Sequence, residues 1–287
     1  MSALTYAAAQ ILRVLPRQKI TRVMGKLADH HWSPPVERAV VGLYSRFYNV
    51  DFDECVQRSG YASFDEFFTR TLRPGARPVD PAREAIVSPA DGRIDSMGPV
   101  HPDASFFVKG RPYRVAELLG DEEEARRYVG GAGCVIYLSP RDYHRVHFPT
   151  SGKVLSWSHI PGKLFPVGDR SVRREPGLFA RNERFVTVID GPAGRCAIVM
   201  VAAVGVGHIT ASYDGEVATH AGGFATGTVR RKSFASAPAV ARGQELGIFN
   251  LGSTTVTIFE PGRVELRELL TNAPIKMGVP VGRILPG

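Results

Sequence analysis

A serine that follows a glycine lies near the end of this 287-residue chain, in the stretch 249–256 (FNLGSTTV). A simple hairpin turn would favour Asn-Gly or Asp-Gly at such a place. Gly252 has no side chain, so its carbonyl is open to approach, and the hydroxyl of Ser253 can turn back on it. The pair therefore suits a serine hydroxyl that attacks the carbonyl just before it in the chain.

A serine nucleophile needs a base and an acid that orients the base. His144 and His147 lie in the segment 139–149 (SPRDYHRVHFP), between two apolar runs, and histidine titrates near neutral pH. Asp91 precedes a glycine in a turn sequence that many proteins use without any catalytic role. Asp91, His147 or His144, and Ser253 can supply acid, base and nucleophile. The chain has no G-x-S-x-G motif, which marks the nucleophilic serine of α/β-hydrolases. The two histidines have no matching third ligand motif, so no metal is expected.

The composition is that of a globular protein rich in turns. Hydrophobic residues make up 44% and charged residues 22%, with 30 glycines and 21 prolines. The cysteines, Cys55, Cys134 and Cys196, are odd in number and far apart, which favours a reducing compartment over a disulfide framework or a zinc site. Cys134 and Cys196 lie in apolar runs and are expected to pack as small hydrophobic residues.

The chain begins with a basic amphipathic segment. Residues 1–28 contain no acidic residue and contribute five of the positive charges behind the net charge of +8. The apolar residues of one helical face are Leu4, Ala8, Ile11, Leu12 and Leu15. The pattern fits either docking on an anionic membrane or a helix packed on its own domain. No apolar run reaches the roughly 18 residues of a transmembrane helix, and no signal peptide is expected.

The pattern of the chain predicts an α+β protein, in which an N-terminal helical membrane-binding region precedes a mostly antiparallel β catalytic domain. Residues 36–48 have helical periodicity, with Val40, Leu43 and Phe47 on one face. Ser63 and Glu66 form a capping box at the start of a second helix. The proline-rich stretch 73–81 indicates a linker.

The expected domains are 1–75, the helical membrane-docking region, and 76–287, the β-rich catalytic domain. Short apolar runs separated by glycine and proline give the second domain its antiparallel character. One helical insertion is predicted from residue 115 to about residue 128.

Several motifs, taken together and in order, resemble those of one enzyme family, the membrane-bound, pyruvoyl-dependent phosphatidylserine decarboxylases. The resemblance covers nearly the whole chain from about residue 40. The motifs are FDEFFTRTLRP (64–74), PADG (89–92), SPRDYHRVHFP (139–149), PGKLF (161–165), LFARNER (178–184), RGQEL (242–246) and LGST (251–254).

The resemblance implies a proenzyme that cuts itself between Gly252 and Ser253 into chains 1–252 and 253–287. Asp91 would orient His147, which draws the proton from Ser253. The serine becomes a pyruvoyl group, the covalent cofactor, which forms a Schiff base with phosphatidylserine and allows decarboxylation to phosphatidylethanolamine. His144 matches the family histidine of the decarboxylation stage, and the sequence leaves its role there open.

The resemblance also implies the partners and the location. The substrate is phosphatidylserine in an anionic membrane, which favours membrane docking for residues 1–28. The two cleavage products form a heterodimer, and resemblance alone implies that it pairs into a homodimer. No nucleic acid is expected as a partner. A peripheral position on the cytoplasmic face of the inner membrane, without a transmembrane segment, follows.

Three other functions remain open from the residues. The first is an ester hydrolase that keeps Asp91, His147 and Ser253 as a lasting triad on an uncut chain. The second is a basic lipid-binding module without enzymatic activity. The third is a pyruvoyl enzyme that acts on a soluble amino acid.

Overall fold

The computed structural model describes residues 27–203, 208–219, 227–250 and 254–286. The amphipathic segment predicted for 1–28, apart from its last two residues, lies outside the described residues, and so does the predicted cleavage site at Gly252 and Ser253. Within them the helices are α1 (Pro34–Tyr48), α2 (Phe64–Phe68), α3 (Val115–Leu119), α4 (Glu122–Arg126), α5 (Asp169–Arg174) and α6 (Leu178–Arg181).

The strands of the described residues outnumber the helices and are distributed over the rest of the chain. They are β1 (Ala85–Val87), β2 (Gly92–Pro99), β3 (Ser105–Val108), β4 (Arg111–Arg114), β5 (Ala132–Tyr137), β6 (Arg145–His147), β7 (Gly152–Ile160), β8 (Arg184–Gly191), β9 (Gly194–Val201), β10 (His208–Ala211), β11 (Arg230–Ser233), β12 (Ala239–Val240), β13 (Glu245–Asn250), β14 (Thr254–Phe259), β15 (Val264–Leu266), β16 (Pro274–Ile275) and β17 (Pro280–Ile284).

Antiparallel sheets form the body of the protein, as the sequence predicts. The largest sheet has the strand order β11-β7-β8-β9-β14-β5-β2-β16, with β12 also paired to β7. Its central strand β14 is buried at every position and lies between β9 and β5. The run TTVTIF is rich in β-branched residues, which pack well on a pleated surface and explain why this segment forms the centre of the sheet.

A smaller sheet contains β13, the strand that precedes the predicted cleavage site. It has the order β10-β13-β6, and both pairings are antiparallel. Strand β13 ends at Asn250, and β14 begins at Thr254 in the large sheet. The three residues between them, which include the predicted cleavage site, therefore connect two different sheets.

The N-terminal helices have their own small hydrophobic cluster. Val41, Tyr61 and Phe67 are buried together there, apart from the main core. Helix α1 matches the predicted segment and begins at Pro34, a position that suits proline because the first helical N–H needs no partner. At α2 the predicted cap is confirmed, because Ser63 accepts a hydrogen bond of 3.2 Å from the main chain of Glu66.

The face of α1 that the sequence pattern picks out is exposed. Leu43 and Phe47 are 74% and 78% exposed, and Val40 is also exposed. The buried face instead carries Val41 and Ser45. Helix α1 therefore packs through the face that carries Val41 and Ser45, and the apolar row of Val40, Leu43 and Phe47 faces away from the rest of the described chain.

One predicted element differs from the structure. The single helix expected over 115–128 is two short helices, α3 and α4. Gly120 ends α3 in the left-handed conformation, with φ of 65°, and Asp121 caps α4 by accepting from the main chain of Glu124. A glycine ends one helix and the capping residue after it begins the next. The apolar periodicity on both sides resembles that of a single helix, so the sequence pattern does not show the break.

Two further expectations concern membranes and cysteines. None of the helices in the described ranges is long and apolar enough to cross a bilayer. The three cysteines are free and buried, so the expectation that Cys134 and Cys196 pack as hydrophobic residues is confirmed. Burial raises the pKa of the Cys134 thiol to about 12.

Candidate active site

Asp91 lies just before β2, where it is buried against an arginine from the proline-rich stretch. Its carboxylate accepts hydrogen bonds from Arg77 Nε at 2.8 and 2.9 Å, from Arg77 Nη2, and from the main-chain N–H of Met277 at 2.9 Å. Arg77 also donates to Glu54 at 2.7 Å, and Lys276 pairs with the same glutamate. The hydrogen bond from Arg77 lowers the pKa of Glu54 to about 2. Asp91 is thus the buried end of an ion-pair network.

This network forms one wall of a cleft of about 710 Å³ between the N-terminal helices and the β body. The cleft is lined by residues of both regions and by the turn before β6. The charged and aromatic side chains among them are Asp51, Glu54, Arg70, Arg77, Asp91, Arg141, Asp142, Tyr143, Arg267 and Lys276.

His147 ends β6, and its two ring nitrogens have different partners. Nδ1 lies 2.9 Å from the carbonyl oxygen of Gly243, and Nε2 lies 3.3 Å from the hydroxyl of Tyr143. A carbonyl can only accept, so Nδ1 carries the proton in the neutral ring and Nε2 has the lone pair. Burial lowers the pKa of His147, although the Gly243 bond and the charges of Glu245 and Asp91 oppose the shift. The ring is therefore kept as a neutral base with Nε2 as its basic atom.

The main chain fixes this tautomer through a glycine that cannot easily be replaced. Gly243 has φ of +78°, and a Cβ there would lie 2.5 Å from Cγ2 of Val79. Positive φ is strained for other residues. The glycine of the RGQEL motif therefore lets its carbonyl reach the ring of His147.

His144 lies in a dry pocket. Its side chain has no exposed surface, Nδ1 donates to the carbonyl oxygen of Asp142 at 2.8 Å, and its ring lies 4.1 Å from that of Phe68 between centroids. Among the described residues Nε2 has no hydrogen-bond partner. Burial, with a smaller contribution from the charge of Arg70, lowers the pKa of His144 to about 3. This histidine is neutral throughout the physiological range and presents a free acceptor.

The N-terminal helices hold the turn that carries both histidines. The hydroxyl of Tyr44 donates to the carbonyl of Pro140 at 3.0 Å, and Arg70 donates to the carbonyl of Arg141 at 2.8 Å. Arg145 donates in return to the carbonyl of Thr69 at 2.9 Å. These bonds cross between the two predicted domains, so the helical region helps to position the site.

The described residues on either side of 251–253 are anchored to different parts of the molecule. Asn250 donates to Asp65 of α2 at 2.7 Å, and Phe249 donates its main-chain N–H to the carbonyl of His144 at 3.0 Å. Burial raises the pKa of Asp65 to about 6. Thr254 is fully buried between β5 and β9, and its hydroxyl has no partner among the described residues.

A buried asparagine ties two further motifs to the sheet. Asn182, of the LFARNER motif, accepts from the main-chain N–H of Phe165 and donates to its carbonyl, each at 2.9 Å. It also donates to the carbonyl of Ala202 at 2.8 Å, just beyond β9. Since Val201 pairs with Thr254, this clamp supports the strand next to the start of β14.

The structure brings some of the predicted site residues together and separates others. His147 and Asp91 lie close enough for the charge of Asp91 to raise the pKa of the histidine. Asp91 is predicted to orient His147, yet no hydrogen bond joins the two among the described residues: the carboxylate of Asp91 accepts from Arg77 and from the main-chain N–H of Met277. A buried carboxylate gains more from a bidentate guanidinium than from a neutral imidazole, which explains the difference. The catalytic roles of Asp91, His144, His147 and Ser253 stay predictions.

Sequence reasoning missed four residues of this site. Gly243, Tyr143 and Arg77 contact the predicted catalytic side chains, and Arg70 lies beside His144. Three of them lie inside the motifs named above: Gly243 in RGQEL, Tyr143 in SPRDYHRVHFP and Arg70 in FDEFFTRTLRP. The motifs therefore contain these residues, but the sequence does not show what they contact. In the described ranges no group of three or more His, Cys, Asp or Glu side chains could hold a metal ion.

Comparison with known proteins gives matches over the part of the chain that contains these motifs. A family model described as "Phosphatidylserine decarboxylase" matches residues 64–283. A "Phosphatidylserine decarboxylase proenzyme" of Anaeromyxobacter sp. (strain K) is 43% identical over 273 residues, which cover 94% of this chain and 96% of that protein. The protein of that name from Myxococcus xanthus (strain DK1622) is 42% identical over 277 residues, with 96% and 97% covered.

Proposed function

This chain belongs to the phosphatidylserine decarboxylase family and converts phosphatidylserine to phosphatidylethanolamine, and we propose that it does so with a pyruvoyl group made from its own Ser253. The relatives' name "proenzyme" supports processing of the chain. One observation carries the proposal for this chain. His147 is held as a neutral base by Gly243, on a strand paired with the strand that leads to Ser253.

In the proposed self-cleavage, Nε2 of His147 accepts the proton of Ser253 Oγ, and the oxygen attacks the carbonyl carbon of Gly252. The peptide bond becomes an ester as the acyl group moves from nitrogen to oxygen. A base then removes the Cα proton of residue 253. The bond between Cβ of that residue and the ester oxygen breaks, and Gly252 leaves as a carboxylate. Water replaces the nitrogen of the resulting dehydroalanine, and ammonia is released. Chains 1–252 and 253–287 remain associated.

The residues around the new terminus fit a carbonyl-bearing group. The pyruvoyl ketone supplies an electrophile that binds the substrate amine and accepts the electrons of the carboxylate bond. Next to it in the chain, the buried hydroxyl of Thr254 has no partner among the described residues. The free Nε2 of His144 can accept a hydrogen bond or pass a proton during decarboxylation, and the pocket formed with Phe68 keeps water away.

We assign Asp91 to the support of His147 through its charge rather than through a hydrogen bond. Asp91 raises the pKa of His147 against the larger effect of burial. Its bonds to Arg77 and Met277 join the proline-rich stretch to the segment before β17. Its role is therefore that of a positioning and electrostatic residue.

Membrane docking through the N-terminal region, taken as residues 1–75, completes the proposal. A substrate with two acyl chains stays in its bilayer, so the enzyme must reach the membrane surface. Val36, Val40, Leu43 and Phe47 form an exposed apolar row on α1, and this row supports docking there. The finer assignments, to the cytoplasmic face of the inner membrane and to a homodimer of the cleaved pair, belong to the proposal as well.

The ester hydrolase alternative has no support from the comparisons, because the relatives bear the decarboxylase name. The test is release of carbon dioxide from vesicles of phosphatidylserine and phosphatidylcholine. The wild-type chain and Ser236→Ala, an exposed control serine, are expected to release it, and Ser253→Ala to release none. Full carbon dioxide release by Ser253→Ala would contradict the proposal, as would release of fatty acid in place of carbon dioxide.

A further inference from the structure

Arg70 is a buried cation whose hydrogen bonds are incomplete. It is 5% exposed, and only its Nη2 is bonded, to the main-chain carbonyls of Arg141 at 2.8 Å and Asp142 at 3.3 Å. Its Nε and Nη1 have no partner within the described ranges. Arg70 also lies 5.6 Å from the ring of Phe67 and interacts with the thiol of Cys55 through a weak hydrogen bond. Burial raises the pKa of that thiol, so neither neighbour supplies a negative charge.

Two other buried arginines make the contrast clear. Arg77, in the same cleft, has its charge matched by the carboxylates of Asp91 and Glu54. Arg184 donates to four main-chain carbonyls through all three of its nitrogens. Arg70 alone of these three keeps free donors. Burying an unpaired cation is costly unless a ligand brings the missing acceptor.

The position of Arg70 shows which ligand that could be. It lines the cleft together with Asp142 and Tyr143. Its charge acts on His144, and Phe68, two residues before it, packs on the ring of that histidine. Arg70 therefore borders the cleft and lies close to His144, with its unpartnered Nε and Nη1 buried.

Phosphatidylserine carries two anionic groups, the carboxylate and the phosphodiester, and their chemistry differs during the reaction. The carboxylate loses its charge as carbon dioxide leaves. An arginine paired with it would stabilise the ground state more than the transition state and would slow the reaction. The phosphodiester keeps its charge from substrate to product. A guanidinium binds its oxygens through parallel N–H groups.

We propose that Arg70 binds the phosphodiester of the substrate head group through Nε and Nη1, and so selects a phospholipid over a free amino acid. This inference rests on the proposed function. It adds a binding residue from the segment that follows α2. Arg70 then has two roles: its Nη2 holds the turn that carries the histidines, and its Nε and Nη1 bind the substrate.

The test compares Arg70→Met and Arg70→Lys with wild type and with Arg141→Met, which removes a charge from the exposed side of the same cleft. Each variant is first checked for complete self-cleavage by denaturing mass spectrometry. Steady-state rates on mixed vesicles then give KM and kcat. We expect Arg70→Met to raise KM about 30-fold with a change in kcat below about threefold, and Arg70→Lys to recover part of the loss. Arg141→Met should change KM by less than about threefold.

A second measurement needs no variant and guards against failure of Arg70→Met to fold. In wild-type enzyme, glycerophosphoethanolamine, which has the phosphodiester and lacks the carboxylate, should compete with the substrate at least about tenfold better than ethanolamine. Equal competition by the two compounds would overturn the inference, as would an equal rise of KM in Arg141→Met and Arg70→Met. Wild-type protein that releases no carbon dioxide would instead overturn the proposed function itself.

Discussion

His144 and His147 are three residues apart, yet their surroundings differ in the one feature that matters for proton transfer. Both rings donate through Nδ1 to a main-chain carbonyl, which leaves Nε2 as the acceptor in each. At His147 that acceptor faces the hydroxyl of Tyr143, and the ring lies on a strand joined to the one before Ser253. At His144 it lies in an apolar pocket beside Phe68 and has no partner among the described residues.

The difference indicates that one sequence motif supplies two separate chemical environments. Burial lowers the pKa of both rings, and that of His144 reaches about 3. His147 keeps polar neighbours that can share a proton. His144 is better suited to accept a hydrogen bond in a dry pocket than to hold a proton. The proposal therefore gives self-cleavage to His147 and the decarboxylation step to His144.

The largest effect is expected from His147→Ala, because the variant removes the base for self-cleavage. The chain should stay whole and release no carbon dioxide. Denaturing mass spectrometry of freshly purified protein measures the cut directly. His101→Ala, at an exposed histidine, is the matched control and should cut as the wild type does. Complete cutting by His147→Ala would break the assignment.

His144→Ala should separate the two stages. We expect complete cutting into 1–252 and 253–287 and a fall in kcat of about 10²-fold or more, the usual contribution of a positioned acid or base. The cut is read by mass and the rate by carbon dioxide release from the same preparation. A variant that decarboxylates at the wild-type rate would show that the division between the histidines is wrong.

Gly243→Ala should slow cutting by a smaller factor, of about tenfold, because the new methyl group displaces the carbonyl that orients His147. The Cβ would contact Val79, so Val79→Ala in the same chain should recover part of the rate. Cutting is followed over time in cell-free synthesis of the chain. If Gly243→Ala cut at the wild-type rate, the carbonyl of Gly243 would not set the tautomer of His147.

The pH dependence follows from the direction of the shift at His147. The neutral ring is the active form, and burial lowers its pKa below the usual value of about 6.5. The rate of self-cleavage should therefore fall to half its maximum at a pH below about 6.5. Cell-free synthesis at a series of pH values measures this rate. A midpoint above about 7 would contradict the lowered pKa.

The smallest effect on either chemical step is expected from the double variant Leu43→Ser and Phe47→Ser on the exposed row of α1. Cutting should be unchanged, because neither side chain contacts the histidine turn. Binding to phosphatidylserine vesicles, measured by co-sedimentation, should weaken several-fold, since each substitution removes buried apolar area from the docked state. Val41→Ser, on the buried face, is the contrasting variant and should destabilise the fold instead. Unchanged vesicle binding by the double variant would contradict docking through this row.

Local signals in the sequence predicted those parts of the fold that depend on neighbours along the chain. The cap at Ser63 follows from capping chemistry, and the helix predicted over 36–48, which the structure has at Pro34–Tyr48, follows from periodicity. The antiparallel character of the body follows from short apolar runs between glycine and proline. The break at Gly120 was equally local and was missed, because apolar spacing on both sides resembled one helix.

The site was predictable as residue types and not as contacts. Asp91 and Arg77 are 14 positions apart, and Arg77 stands in a stretch that has the composition of a linker. His147 and Gly243 are 96 positions apart, and no local rule joins them. The partners of a buried polar group are decided by which elements pack together, so motifs can indicate such residues without stating what they bind.

The central claim is that the chain breaks its own main chain between Gly252 and Ser253 and leaves a ketone at the new terminus. Denaturing mass spectrometry of fully active protein, before and after borohydride reduction, tests it most directly. The account predicts two fragments, 1–252 and 253–287, with the second heavier by two hydrogens after reduction. A single uncut chain with normal activity and no change on reduction would contradict it.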